Sequence, residues 1–200
     1  MKINKDVLVV LIIGSFVTFN ACFLNQTKGN GNVISQERTA NNFSNVVLDI
    51  ACNVNIHYSE NYKVAVITDS NIQDYITINV NGNNLHIDKK NTNTGFNSTK
   101  LEIDVYMPQL NGISLNGAGN IKINNGNTSE LNCSISGSGN IDAQEFQARN
   151  VTINLSGTGN VKIWATDNIN GSLSGTGNIS YKGNPEINVN KTGAGNIKPL

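Results

Sequence analysis

Five pentapeptides dominate the sequence: NGAGN at 116–120, SGSGN at 136–140, SGTGN at 156–160 and again at 174–178, and TGAGN at 192–196. Closely spaced glycines let backbone N–H groups converge on an anion, which is how phosphate-cradling loops work. The flanking residues argue against that chemistry here. A nucleoside-triphosphate loop ends in Gly-Lys-Ser/Thr, and none of these turns has a Lys after its glycine. A dinucleotide fingerprint opens a helix, whereas each turn here runs into alternating Ile or Val. Calcium-binding glycine-rich repeats place Asp at a fixed turn position, and this chain has neutral Asn there.

Other chemistry is sparse. His57 and His86 have no His or Cys two or four positions away, so no zinc site is read and no cofactor is expected. Glu130, Asp142, Glu145, Asp167 and Glu186 fall at different phases of the repeat and build no carboxylate pair of the glycosidase kind. Cys52 and Cys133 each lie in an apolar alternation, which favours two buried thiols over a disulfide or a nucleophile. Trp164 stands at an outward phase and is the one candidate for ligand contact, with Tyr181 and Phe146 at neighbouring repeat positions. No catalytic residue is assigned, and an enzyme is not expected.

The glycine turns point to architecture. Gly-x-Gly-Asn recurs as Gly117-Gly119-Asn120, Gly137-Gly139-Asn140, Gly157-Gly159-Asn160, Gly175-Gly177-Asn178 and Gly193-Gly195-Asn196. Successive intervals are 20, 20, 18 and 18 residues. Apolar residues two apart flank each turn, as in Ile113 and Leu115 before and Ile121 and Ile123 after. Period two means short strands with one face inward. A repeat of this length holding two or three strands matches one coil of a β-solenoid, in which stacked coils share a core that no coil can bury alone. The turn glycines are expected to supply positive φ at the corners, and the stacked asparagines to form an amide ladder.

Residues 43–110 lack the pentapeptide and read as an irregular, β-rich cap: a long strand over 46–58, a second over 62–69, a helical turn at 70–75, an Asn-Gly hairpin over 76–89, a loop at 91–99 and a strand at 101–108. Fourteen Lys and Arg balance fourteen Asp and Glu, which excludes a nucleic-acid-binding charge footprint. Thirty-seven Asn take over much of the polar role.

The N-terminus reads as an address. Lys2 and Lys5 precede an apolar run, Val7–Phe19, that is too short for the ~20 residues of a spanning helix. Ala21-Cys22 then resembles the end of a bacterial lipobox, with Phe19 and Asn20 departing from its usual residues. The expected organisation is a lipoprotein-type signal peptide over 1–21, a flexible tether over 22–42 with Cys22 lipidated, and one domain over 43–200. The membrane is then a partner through the anchor.

The runs YMPQLNGISLNGAGNIKI, SISGSGNI, NLSGTGNV and SLSGTGNI resemble the GIN domain, the head domain of autotransporter adhesins, over about residues 43–198. The resemblance implies an all-β, right-handed β-helix-like solenoid with about five Gly-x-Gly-Asn turns and a β-rich N-terminal cap. It implies an exported, lipid-anchored protein of the Gram-negative envelope, at the outer membrane, binding or adhering through an extended surface to a glycan or protein. It carries over no catalytic residues. A periplasmic structural or regulatory module and, less favoured, a glycan-processing β-helix remain the alternatives.

Overall fold

The structure, a computed structural model, describes residues 26–90 and 95–200. The fold is all-β. Along the chain come β1 (Gln26–Lys28), β2 (Val33–Arg38), β3 (Asn45–Leu48), β4 (Cys52–Tyr58), β5 (Lys63–Asp69), β6 (Ile76–Asn81), β7 (Asn84–Lys89), β8 (Gly95–Asn97) and β9 (Leu101–Met107). The repeat region supplies β10 (Gly112–Leu115), β11 (Ala118–Ile123), β12 (Asn127–Ile135), β13 (Ser138–Leu155), β14 (Asn160–Leu173), β15 (Ile179–Lys182), β16 (Glu186–Lys191) and β17 (Ile197–Pro199). A single 3-10 turn, Gln73–Tyr75, is the helical structure among the described residues.

Two rows of parallel strands account for most of this. In the row that follows the glycine turns, β9, β4, β11, the first part of β13, the first part of β14, β15 and β17 pair in that order. In the row that precedes them, β7, β3, β10, β12, the rest of β13, the rest of β14 and β16 pair in that order. The register places Ile103, Val54, Ile121, Ile141, Val161 and Ile179 in one inward column, all buried. Leu48, Leu115, Ile135, Leu155 and Leu173 form a matching column in the other row, also buried. Burying each such side chain contributes roughly 1.5–3 kcal/mol.

Chain order and stacking order differ at one place. The strands of 45–58 lie between those of 84–107 and those of 112–123. The chain thus lays down β3 and β4, passes beneath them, and climbs over through Pro108–Asn111 to resume above. The expected long strand over 46–58 is accordingly two strands with a corner at Asp49–Ala51. That corner is equivalent to a glycine turn: Asp49 accepts from Asn116 Nδ2 at 2.8 Å, Ile50 lies beneath Gly117, Cys52 beneath Gly119, and Asn53 beneath Asn120. The sequence DIACN therefore replaces NGAGN. Ile50 and Cys52 take the places of the two glycines and are themselves buried.

The glycines have a different cause from the one expected. Among the pentapeptide glycines only Gly119 (φ 149°) and Gly139 (φ 158°) have positive φ, both near the extended limit, and no turn asparagine has positive φ. The turns continue the in–out alternation of a strand, with both glycines facing inward and the residue between them exposed. A Cβ at Gly139, Gly159, Gly177 or Gly195 would overlap the carbonyl oxygen of the equivalent glycine of the preceding repeat, and at Gly119 that of Cys52. Close backbone approach requires glycine here. At each corner one carbonyl takes two N–H groups: Leu115 from Ser136 and Gly137, Ile135 from Ser156 and Gly157, Leu155 from Ser174 and Gly175.

The change of interval from 20 to 18 residues is visible as a bulge. Ala143 pairs with Ile163, but the next pair is Gln147 with Trp164, so 144–146 have no counterpart in β14. Between Ala148/Ala165 and Asn150/Asn168 one residue is regained. Phe146, extruded by the bulge, turns inward and is buried near Gly126 rather than joining an outer aromatic face.

At the N-terminal end, β5 pairs antiparallel with β9, β2 with β5, and β6 with β7, which covers both strand rows. Residues 26–42 are thus part of the fold, where a tether was expected; β1 pairs with β8 in the segment expected to be a loop. Asp69 pins this corner: it is fully buried and accepts from Thr99 Oγ1, Thr99 N and Gly31 N. The Thr99 hydroxyl, foremost, holds its carboxyl below the usual range.

Candidate functional site

Outward residues of the post-turn row form a grid. One column runs Asn53, Asn120, Asn140, Asn160, Asn178 and Asn196. Asn120 Nδ2 donates to Asn53 Oδ1 at 3.0 Å, Asn140 to Asn120 at 2.8 Å, Asn160 to Asn140 at 3.0 Å and Asn178 to Asn160 at 3.0 Å. The backbone N–H groups of Asn160, Asn178 and Asn196 add further bonds to the Oδ1 below. Each of these four side-chain donors points toward the cap. An amide nitrogen carries two protons, so each of these four keeps a second one that the ladder does not use.

Two residues further along each strand lies a second column: Asn55, Lys122, Asp142, Lys162, Ser180 and Lys198. From Lys122 to Lys198 and from Asn120 to Asn196 the two columns line an open groove of about 770 Å³. Lys122, Lys162 and Lys198 are exposed, and none makes an ion pair among the described residues. Asp142 lies between two of them, yet its carboxylate accepts from Gln144 N and Nε2, both at 3.3 Å. Trp164, two residues beyond Lys162 on β14, is half-buried, and Lys182 Nζ sits 3.7 Å from its ring centroid. Four lysines therefore meet one aspartate on this stretch, in a chain of zero net charge. Toward the cap the sign reverses: Glu102 and Asp104 occupy the same columns, both bonded by Asn55 Nδ2, and Lys100 pairs with Glu102 at 2.8 Å. That lysine holds the Glu102 carboxyl below its ordinary value.

The pre-turn row is chemically plainer. Nearest the corner its outward residues, among them Ser114, Asn132, Ser134, Thr152, Asn154, Asn170 and Ser172, are uncharged, and the carboxylates Glu130 and Glu186 stand further from the corner on β12 and β16.

The remaining candidates are engaged elsewhere. His57 stacks on Tyr106 with centroids 4.7 Å apart, and His86 Nδ1 faces Asp49 at 3.4 Å. Glu130 accepts from Asn150, and Asp167 bonds the Thr166 hydroxyl and Arg149. Cys52 and Cys133 are buried free thiols, and burial pushes both up to about 12. No metal-holding group of His, Cys, Asp or Glu occurs among the described residues. Cys22 lies outside the described residues. The lysine column was overlooked in the sequence, although its signal is there: each lysine stands two residues after a turn asparagine.

An all-β protein of stacked, internally repeated strands is thus defined, with a lysine column on the outer face of its post-turn row. The family whose description reads "Putative auto-transporter adhesin, head GIN domain" matches residues 42–125 and 117–185, and the chain belongs to it. A solved structure from Bacteroides fragilis NCTC 9343, described as a "putative adhesin", shares 23% identity, covering 86% of this chain and 99% of its own, with a TM-score of 0.61. Another from Parabacteroides distasonis ATCC 8503, described as a "putative lipid binding protein", shares 20% identity over 88% and 100%, with a TM-score of 0.48. No curated protein matches the sequence.

Proposed function

We propose that the protein is an exported, non-enzymatic binding module of the cell envelope, anchored through a lipidated Cys22, whose post-turn face is an adhesive surface. In this reading the parallel rows are the two faces of a right-handed β-solenoid, and residues 1–21 are removed as a signal peptide. The described domain, from residue 26, follows Cys22 closely, so the cap end faces the membrane and the glycine turns extend away from it. The observation that carries the reading is the column of lysines without ion pairs, set beside the asparagine ladder along one face. A rigid stack of parallel strands presents such groups at fixed intervals, and outward positions can vary without disturbing the core. The separately engaged carboxylates and buried thiols favour binding over catalysis. Ring contact by Trp164 would place a sugar face at the groove margin, where Lys182 already occupies the indole.

Protease shaving of intact cells, with lysed cells as control, tests the location. Loss of the protein from intact cells is expected. Protection until lysis would contradict adhesion and leave a periplasmic module recognising an envelope partner.

A further inference from the structure

Resting on that reading, we infer that the groove binds a linear acidic polysaccharide, laid along the stacking axis, that carries its carboxylate on every second sugar. Lys122, Lys162 and Lys198 occupy one column but alternate coils, with Asp142 and Ser180 in the coils between. Neighbouring strands lie about 4.8 Å apart, so the lysines repeat every ~10 Å. The strand spacing is close to the length that one β-linked pyranose adds to an extended chain. One coil thus meets one sugar, and in this column one lysine meets every second sugar; Lys182, two residues beyond Ser180, lies over the Trp164 ring instead.

The intervening positions reinforce this pattern. Ser180 can bond a hydroxyl on a neutral sugar. Asp142, held by Gln144, accepts from such a hydroxyl and repels an acid placed there. Repulsion of the wrong partner sets specificity as much as attraction of the right one. Alongside, the asparagine column offers one free N–H per coil to ring and hydroxyl oxygens. A lipid surface fits less well, because the groove presents polar side chains and no exposed apolar residue to enter a bilayer.

Binding of the purified full chain in detergent micelles tests the assignment. The probes are hyaluronan, with one uronate per disaccharide; polygalacturonate, with one per sugar; neutral dextran; and vesicles of phosphatidylglycerol with phosphatidylcholine. Hyaluronan binding that weakens with salt, with no dextran binding, is expected. Replacing all three lysines (K122Q, K162Q, K198Q) weakens it about tenfold or more, as the loss of three exposed ion pairs should. The Lys90→Gln control leaves it unchanged, and unaltered melting shows that the triple variant folds. Asp142→Asn raises the affinity for polygalacturonate relative to hyaluronan. Equal binding of dextran, no effect of the triple substitution, or binding to vesicles alone would each overturn the assignment. If hyaluronan fails while attachment to cells is still lost on Lys162→Glu, the ligand class is wrong and the adhesive face stands. If that substitution also leaves attachment intact, both fail.

Discussion

Replacing Gly159 by alanine separates two explanations of the pentapeptide. If glycine is present for its backbone freedom, Asn should substitute well, since Asn tolerates unusual φ better than other residues. If it is present because the coils touch, any Cβ is excluded. A Cβ at Gly159 would overlap the carbonyl oxygen of Gly139, a backbone atom on a strand paired on both sides. Neither side can give way without parting the coils, which threatens the neighbouring N–H bonds of Thr158 to Gly137 and Gly157 to Ile135. Overpacking costs about 1–3 kcal/mol, and each weakened hydrogen bond adds about 1 kcal/mol. A loss of about 3 kcal/mol is therefore expected for Gly159→Ala, lowering Tm by roughly 6–12 °C for a chain of this size. Gly159→Asn should cost at least as much. Thr176→Ala, in the exposed position between two glycines, should stay within about 0.5 kcal/mol. Urea unfolding followed by far-UV circular dichroism gives all three values. An Asn variant markedly more stable than the Ala variant, or an Ala variant as stable as the wild type, would refute the close-approach account.

Asn160→Asp removes the donor to Asn140 and sets a carboxylate against its Oδ1; it should cost about 1 kcal/mol at pH 7 by denaturant unfolding and recover below pH ~4, where the acid regains a proton. Asn154→Asp keeps its role as acceptor from Ser172 and should change little. Asp69 has a lowered pKa, so its contribution is present above the unfolded carboxyl value of about 3.9 and is lost as pH falls through the lower folded value. Asp69→Asn should release the 26–32 and 95–99 segments at neutral pH, read as faster hydrogen exchange there; wild-type exchange rates in the variant would contradict this. Cys52 and Cys133 should resist an aromatic disulfide reagent at pH 8 and both react in denaturant, because burial holds the thiols protonated; rapid labelling of the folded chain would contradict their burial.

The strand rows were legible because inward residues recur at period two around a marker of fixed sequence. Ile121, Ile141, Val161 and Ile179 follow their asparagines directly, and all are buried. The corner at Asp49–Ala51 was not legible. Ile50 and Cys52 keep the alternation unbroken, so DIACN looks like strand. Insertion of 45–58 between 84–107 and 112–123 leaves no local trace either, since every strand involved has the same pattern. Residues 26–42 look like a linker in composition, but backbone pairing to β5 and β8 orders them independently of side-chain type. For the groove, the intervals of 20 and 18 residues already align Lys122, Asp142, Lys162, Ser180 and Lys198. The bulge at 144–146 is what hides the fate of Phe146, because period counting assumes equal coils.

Attachment of the fluorescently labelled protein to intact cells, compared between Lys162→Glu and Asn154→Glu, tests most directly whether the post-turn face does the binding. Both substitutions add the same side chain at an exposed strand position, on opposite rows. Loss of attachment with Lys162→Glu and retention with Asn154→Glu is the predicted result. Equal attachment of the two variants, or loss confined to Asn154→Glu, would contradict the assignment of the binding face.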